Sequence, residues 1–221
     1  MTQLILWDWN GTLLDDVALC VDALNRLLAR YGYARQYDLK GYRKIFGFPI
    51  RDYYLRAGFD FSRHSFDELA KSYMDDYIPA SAACPLMPGA RETLARLQAA
   101  GCRQVILSAS PITTLQSQAE QRGVLSYFDQ LLGLGDIYAK SKVELGLNYL
   151  HRERFDPDTA LMVGDSVHDF EVSRALGVRC LLYAGGHQDA AALAATGAPV
   201  VESLAAVADR VLHQPEGGGR A

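Results

Sequence analysis

Short, largely apolar runs alternate along this chain with stretches whose apolar residues recur every three or four positions. The runs are Leu4–Trp7, Val105–Ser108, Gln130–Leu132, Ala160–Val163, Cys180–Tyr183 and Val200–Val201, bounded by Gly, Asp or Ser. Brief continuous runs of this kind predict strands buried on both faces. The helical stretches between them have legible ends. Pro88 is expected at the first helical position of "GARETLARLQAAG", which stops at Gly101, and Ser141-Lys-Val-Glu144 has the spacing of a capping box. Strands alternating with helices predict an α/β fold built on a doubly wound parallel sheet, whose binding crevice lies at the carboxyl ends of the strands.

One region breaks the alternation. From Asp16 onward Val17, Leu24, Leu27 and Leu28 have helical spacing, then aromatics accumulate and glycines at 41, 47 and 58 punctuate the chain. The expected organisation is therefore a Rossmann-like core formed by residues 1–15 and 86–221, with a mostly helical module, residues 16–85, inserted after the first strand. The tail 214–221, with Pro215 and Gly217-Gly218-Gly219, is expected to be disordered.

Composition narrows the function classes. With 221 residues, 49% hydrophobic and 22% charged, the chain is an ordinary globular protein, and a formal charge of −4 argues against a nucleic-acid surface. Cys20, Cys84, Cys102 and Cys180 form no Cys-x-x-Cys pair and no Cys/His cluster in sequence, so they are read as reduced thiols of a cytoplasmic protein rather than metal ligands. Asp8 interrupts the first apolar run, so no signal peptide is expected, and no run is long enough to span a membrane. The sequence specifies no oligomeric state.

Polar groups sit at three predicted strand ends. Asp8 follows the first strand, Ser108 closes "QVILS", Asp165 follows "ALMVG", and Asp169 comes four residues later. In a doubly wound sheet these ends converge, and clustered carboxylates repel unless a cation neutralises them. With no Cys or His positioned to bind zinc, these oxygen ligands suit Mg²⁺, which commonly works beside a phosphate. The combination points to phosphoryl transfer through an aspartyl intermediate.

"DWNGTLLD", "VILS", a lysine in "AKSKVE" and "VGDSVHDF" resemble, in order and spacing, the four motifs of the haloacid dehalogenase superfamily, and more closely its phosphoglycolate-phosphatase-like branch with a helical cap. The resemblance implies that Asp8 is the nucleophile and that Asp8 and Asp165 bind Mg²⁺ through their side chains. Asn10 would add its backbone carbonyl, and Asp169 an auxiliary carboxylate. It implies that Ser108 holds a phosphoryl oxygen, helped by the N–H groups of Gly11 and Ala109. The lysine is Lys140 by gapless spacing or Lys142 by its place on the first turn of a helix; Lys142 is preferred. The substrate implied is a small phosphorylated metabolite.

Asn10 departs from the pattern. Relatives that hydrolyse phosphate esters carry an aspartate there, which protonates the leaving alcohol and then activates water, help typically worth about 10²–10⁴-fold. Three readings follow: a phosphatase favouring good leaving groups such as acyl phosphates; phosphonatase-like C–P hydrolysis using a cap lysine (Lys40, Lys44 or Lys71); or a phosphate-binding protein without turnover. Asp15 and Asp16 are read as caps of the following helix. Arg43, Lys44 and Arg51, around Gly47, either grip a distal anionic group of the substrate or form a solvated helix face. His168 is read as a turn residue, and His187 is placed at the rim of the crevice.

Overall fold

The computed structural model describes residues 2–135 and 141–213. Lys140 and the tail 214–221 lie outside the described residues. The strands β1 (Leu4–Trp7), β2 (Arg103–Pro111), β3 (Gln130–Leu134), β4 (Ala160–Gly164), β5 (Arg179–Tyr183) and β6 (Val200–Val201) form one parallel sheet in the order β3-β2-β1-β4-β5-β6. Each predicted run is a strand. β2 outlasts its predicted end at Ser108 because its last residues pair with β3 after a shift in register between Leu107 and Pro111.

The chain grows outward from β1 on one side through β2 and β3, then returns to β1's other side with β4. This reversal puts the carboxyl ends of β1 and β4 next to each other, opening a crevice between them. Trp7 is in register with Val163, and the Asp8 N–H continues the ladder to the Val163 carbonyl (2.8 Å).

Side-chain alternation along β1 decides what packs on each face. Leu4 and Leu6 join Val105, Leu107 and Met162 against α7 (Lys142–Glu153) and α8 (Val167–Leu176). Ile5 and Trp7 point to the other face, toward α5 (Ala90–Ala99), α6 (Ile112–Gln121) and α10 (Leu204–Leu212). The Trp7 indole N–H donates to Gln104 Oε1 (3.1 Å), so this buried polar pair satisfies itself. A short α9 (Ala190–Ala194) covers the β5–β6 edge.

Between β1 and α5 the chain contains α1 (Val17–Arg30), α2 (Leu39–Ile45), α3 (Ile50–Ala57) and α4 (Phe66–Ser81). It leaves and re-enters the sheet region along two adjacent segments: Leu14 bridges Leu86, and the Met87 N–H donates to the Leu13 carbonyl (2.8 Å). Two predicted helix starts need correction. Pro88 lies outside α5, which begins at Ala90 after Gly89, a left-handed residue (φ +77°) that any side chain would strain. Asp16 precedes α1 but caps nothing with its side chain, which is used elsewhere. Ser141 does cap α7, accepting from the Glu144 N–H. No helix among the described residues is long and apolar enough to cross a membrane.

Candidate active site

Asp8 projects from the end of β1 beside Asp165, which follows β4, and Asp169, on the first turn of α8. A ligand atom from each lies within 4.8 Å of the others. The loop holding two of them is built by local rules. Ser166 and Asp169 form a reciprocal capping box, and Asp169 Oδ2 accepts from the Asp165 and Ser166 N–H groups (3.2 and 3.1 Å) and the Ser166 hydroxyl (2.7 Å). Gly164 is required here, since an added Cβ would fall on the Asp169 carboxyl group.

Lys142, on the first turn of α7, bridges the cluster: Nζ lies 2.7 Å from Asp8 Oδ1 and 2.6 Å from Asp169 Oδ1, with the lysine buried. This is the geometry expected of a lysine fixed on a helix start. Burial favours the neutral amine, but the two carboxylates overcome it and raise the Lys142 pKa. Asp169 is likewise penalised by burial, yet Lys142 and Ser166 hold it below the usual carboxylate range. One lysine does not balance three carboxylates. Burial pushes Asp8 up to about 8 despite Lys142, with Asp169 and Asp165 adding repulsion, and burial carries Asp165 to about 6. A buried, all-oxygen donor set with surplus negative charge fits a hard divalent cation.

The sequence placed Asn10 in the metal loop but not its side-chain partners. Its Nδ2 donates to Asp16 Oδ2 (2.9 Å) and contacts the Tyr77 hydroxyl (2.7 Å), while Oδ1 accepts from the Ser110 hydroxyl (2.6 Å). Asp16 is the hub. It also accepts from the Tyr77 hydroxyl (2.6 Å) and the Gly11 N–H (2.9 Å), and meets His187 Nε2 at 3.1 Å. Burial disfavours the Asp16 carboxylate, but His187 and these donors lower its pKa below the ordinary value. Burial likewise disfavours the imidazolium, and Asp16 more than offsets that, raising His187 to about 9. The His187 ring is held further by the Tyr42 hydroxyl on Nδ1 (2.9 Å) and by stacking on Phe46 (4.9 Å), and the His187 backbone N–H donates to Asp165 Oδ2 (2.6 Å).

These residues surround a cavity of about 250 Å³. Asp8, Asn10, Ser108, Ala109, Lys142, Asp165 and Asp169 all line it, so the structure brings most of the expected site residues together. Ser108 Oγ accepts from the Ser110 N–H (3.0 Å). Gly11 departs from expectation: its N–H is committed to Asp16 and to the Leu14 carbonyl (3.0 Å) rather than facing the cavity.

The basic residues of the helical segment also depart from it. Arg43 donates to the Gly186 and Gly185 carbonyls (2.8 and 2.6 Å), Arg51 lies over the Phe61 ring (4.6 Å), and Lys44 is exposed. None lines the cavity; each is satisfied more cheaply by carbonyls, an aromatic face or water than by burial. Gly47 is absent from the lining, which its neighbours Phe46 and Phe48 supply. Lys40 is exposed and Lys71 pairs with Asp75 (2.6 Å), so no lysine of this segment reaches the reacting centre as phosphonatase chemistry requires.

His168 lines the cavity, stacked on Phe48 (4.3 Å). Contrary to the sequence reading, Cys20 does meet a histidine and a carboxylate in space: Asp16, Cys20 and His187 form a second buried trio with metal-ligating atom types. Ser110 was detectable in the sequence, since it lies two residues beyond Ser108 on the same strand. Thr12, which donates to Asp165 Oδ1 (3.0 Å), adjoins a motif glycine. Tyr77 and His187 sit 67 and 171 residues from their partners Asn10 and Asp16, and no local pattern ties them together.

Fold and site together define a haloacid-dehalogenase-like α/β hydrolase. The family model described as haloacid dehalogenase-like hydrolase matches residues 5–183, and the chain belongs to that family. Among curated relatives it is similar to the phosphoglycolate phosphatase of Vibrio vulnificus, 27% identical in an alignment that covers 95% of this chain and 96% of that protein. The phosphoglycolate phosphatase of Synechococcus elongatus is 25% identical, covering 87% and 89% of the two chains. Among solved structures, a haloacid dehalogenase-like family hydrolase from Streptococcus pneumoniae superposes with a TM-score of 0.81 at 19% identity, covering 95% and 98% of the two chains. CbbY from Rhodobacter sphaeroides in complex with phosphate gives 0.68 at 21% identity, covering 93% and 96%. At these identities the two structures support the fold alone.

Proposed function

We propose that the protein is a Mg²⁺-dependent phosphatase of small phosphorylated metabolites that works through an aspartyl-phosphate on Asp8. The observation that carries this reading is the meeting of Asp8, Asp165, Asp169 and Lys142 with Ser108 at one cavity between the strand ends and the helical segment. In it, residues 1–15 and 86–221 act as the core and residues 16–85 as a cap that shields the reacting groups from water.

Asp8 attacks phosphorus through a carboxylate oxygen, and the bond from phosphorus to the leaving oxygen breaks. Ser108 Oγ and the Ala109 N–H orient the phosphoryl oxygens. Lys142 favours the charged form of Asp8, opposing the burial that disfavours it, and offsets the incoming phosphate without exchanging a proton. Asp8, Asp165 and the Asn10 carbonyl would hold Mg²⁺, with Asp169 fixing Lys142 and the Asp165 loop; the bound ion supplies charge screening between phosphate and carboxylate. Water then attacks phosphorus, releasing inorganic phosphate and restoring the Asp8 carboxylate. Asn10 orients its neighbours but offers no proton, which favours groups that leave as stable anions.

The test is hydrolysis of acetyl phosphate and p-nitrophenyl phosphate with and without Mg²⁺, with Asp8→Ala as the blank. Mg²⁺-dependent turnover that the variant lacks is expected. Wild-type rates equal to the blank across a broad phosphate panel would leave a phosphate-binding protein without catalysis.

A further inference from the structure

The part of the cavity wall contributed by residues 46–77 is largely apolar. Phe46 and Phe48, from the link between α2 and α3, Ile50 at the start of α3, and Tyr73, Met74 and Tyr77 on α4 line it. The Tyr77 hydroxyl is already committed to Asp16 and Asn10. Among the described residues, the potentially cationic side chains that line the cavity all face an acidic one. Lys142 lies between Asp8 and Asp169, His187 against Asp16, and His168 Nδ1 is 3.5 Å from Glu171. Among those residues no arginine lines the cavity, Arg43 and Arg51 being held as described and Arg56 by the Ile45 carbonyl (2.7 Å). A substrate bearing a second anionic group would bury that charge with no unpaired counter-charge among the described residues, whereas a flat carbon skeleton would meet aromatic faces and edges.

The reacting side imposes the same choice by a separate route. Both side-chain polar atoms of Asn10 are engaged, by Asp16, Tyr77 and Ser110, and neither is an acid. From position 10 a leaving oxygen gains no proton and departs with its electron pair. Loss of an alkoxide, whose conjugate acid is about as weak an acid as water, is slow under those terms. Loss of a phenoxide, whose conjugate acid has a pKa of about 10 like tyrosine, is far easier. A cavity of about 250 Å³, small beside the roughly 300–1,000 Å³ usual for drug-sized ligands, suits one ring and a phosphate.

We infer that the site takes aryl phosphates, monoesters whose alcohol part is a small uncharged aromatic ring, and rejects phosphomonoesters with a second anionic group, phosphoglycolate included. The inference rests on the phosphatase reading of the same site. In the reaction, Asp8 bonds to phosphorus as the aryl oxygen leaves with the bonding electrons. Water then releases phosphate from Asp8, and the phenoxide takes a proton from solvent.

Two measurements keep the two readings apart. The first is binding, by calorimetry with Mg²⁺, of benzylphosphonate and 3-phosphonopropionate, which mimic phenyl phosphate and phosphoglycolate and cannot be hydrolysed at phosphorus. Benzylphosphonate is expected to bind at least tenfold more tightly; equal binding, or the reverse order, overturns the inference whether or not the protein turns anything over. The second is turnover of phenyl phosphate and phosphoglycolate against the Asp8→Ala blank. A kcat/KM ratio of at least about 10² in favour of phenyl phosphate is expected, from the unpaired charge and the missing acid together. A ratio favouring phosphoglycolate refutes the inference while leaving the phosphatase intact, and no turnover of either refutes the phosphatase while the phosphonate pair still decides recognition. Met74→Arg, which places a cation on the apolar wall, should narrow the binding ratio by about tenfold; an unchanged ratio in a folded variant counts against it.

Discussion

Asn10→Asp would restore the acid that ester-hydrolysing relatives use, yet here it sets two carboxylates against each other. Asn10 Nδ2 lies 2.9 Å from Asp16 Oδ2. Two unit charges at that separation repel by about 6 kcal/mol at an effective dielectric constant of about 20. Side-chain relaxation, the nearby His187 imidazolium and proton uptake by the pair reduce the net cost to roughly 2–4 kcal/mol. For a chain of this size that lowers Tm by on the order of 10 °C. Exchanging the two groups, Asn10→Asp with Asp16→Asn, returns an amide–carboxylate pair at the same place. The double variant should therefore recover most of the loss, with an interaction energy of about 2 kcal/mol or more in a thermal-denaturation cycle. The Asn10→Asp deficit should also shrink as pH falls from 8 to 5. The new carboxyl's folded pKa lies above its unfolded value, so protonation relieves the folded state first. An Asn10→Asp protein as stable as wild type, or strictly additive effects in the double variant, would refute the account of Asp16 as the group that demands an amide at position 10.

Three further outcomes are expected. In the absence of divalent cations, stability should rise as pH falls from 9 toward 6. Asp8, at about 8, shed a burial penalty on protonation, and His187, at about 9 against a usual 6.5, contributes stability below 6.5 that is lost through 9; Mg²⁺ should raise Tm most at the alkaline end, as calorimetry against pH would show. Lys142→Met should cost about 3–5 kcal/mol by leaving Asp8 and Asp169 without their cation, and should lower kcat by about 10²–10³-fold in steady-state assays. Gly186→Ala should weaken Mg²⁺ binding measured by calorimetry, because the added Cβ would fall on the Asp165 carboxyl group and displace it.

The elements of the core were legible because each has a local cause. A run such as Leu4–Trp7, brief and bounded by polar residues, reads as a strand buried on both faces, and a strand end in a parallel sheet points into the crevice, so Asp8, Ser108 and Asp165 could be placed from order alone. Lys142 was legible through its cap, Ser141. What the sequence did not disclose depends on contacts made across long separations. Asp16 looks like a helix cap because it precedes Val17; only the arrival of Tyr77 from α4 and His187 from the loop after β5 turns it into a hub. The basic residues around Gly47 were misleading for a related reason. Arg43 has the right charge for a phosphate or carboxylate, but the carbonyls of Gly185 and Gly186 reach its guanidinium first.

That last contact gives the loop after β5 two masters. Tyr42 holds the His187 ring, Arg43 holds two carbonyls just before it, and the Asp189 N–H donates to the Arg43 carbonyl (3.1 Å), so α2 and this loop are laced together along several consecutive residues. The same loop steadies Asp165 through the His187 N–H. The helical segment is thus not a passive roof. Any displacement of α2 would therefore pull on the loop that holds a carboxylate at the strand ends, so the helical segment and the acidic cluster share one set of restraints.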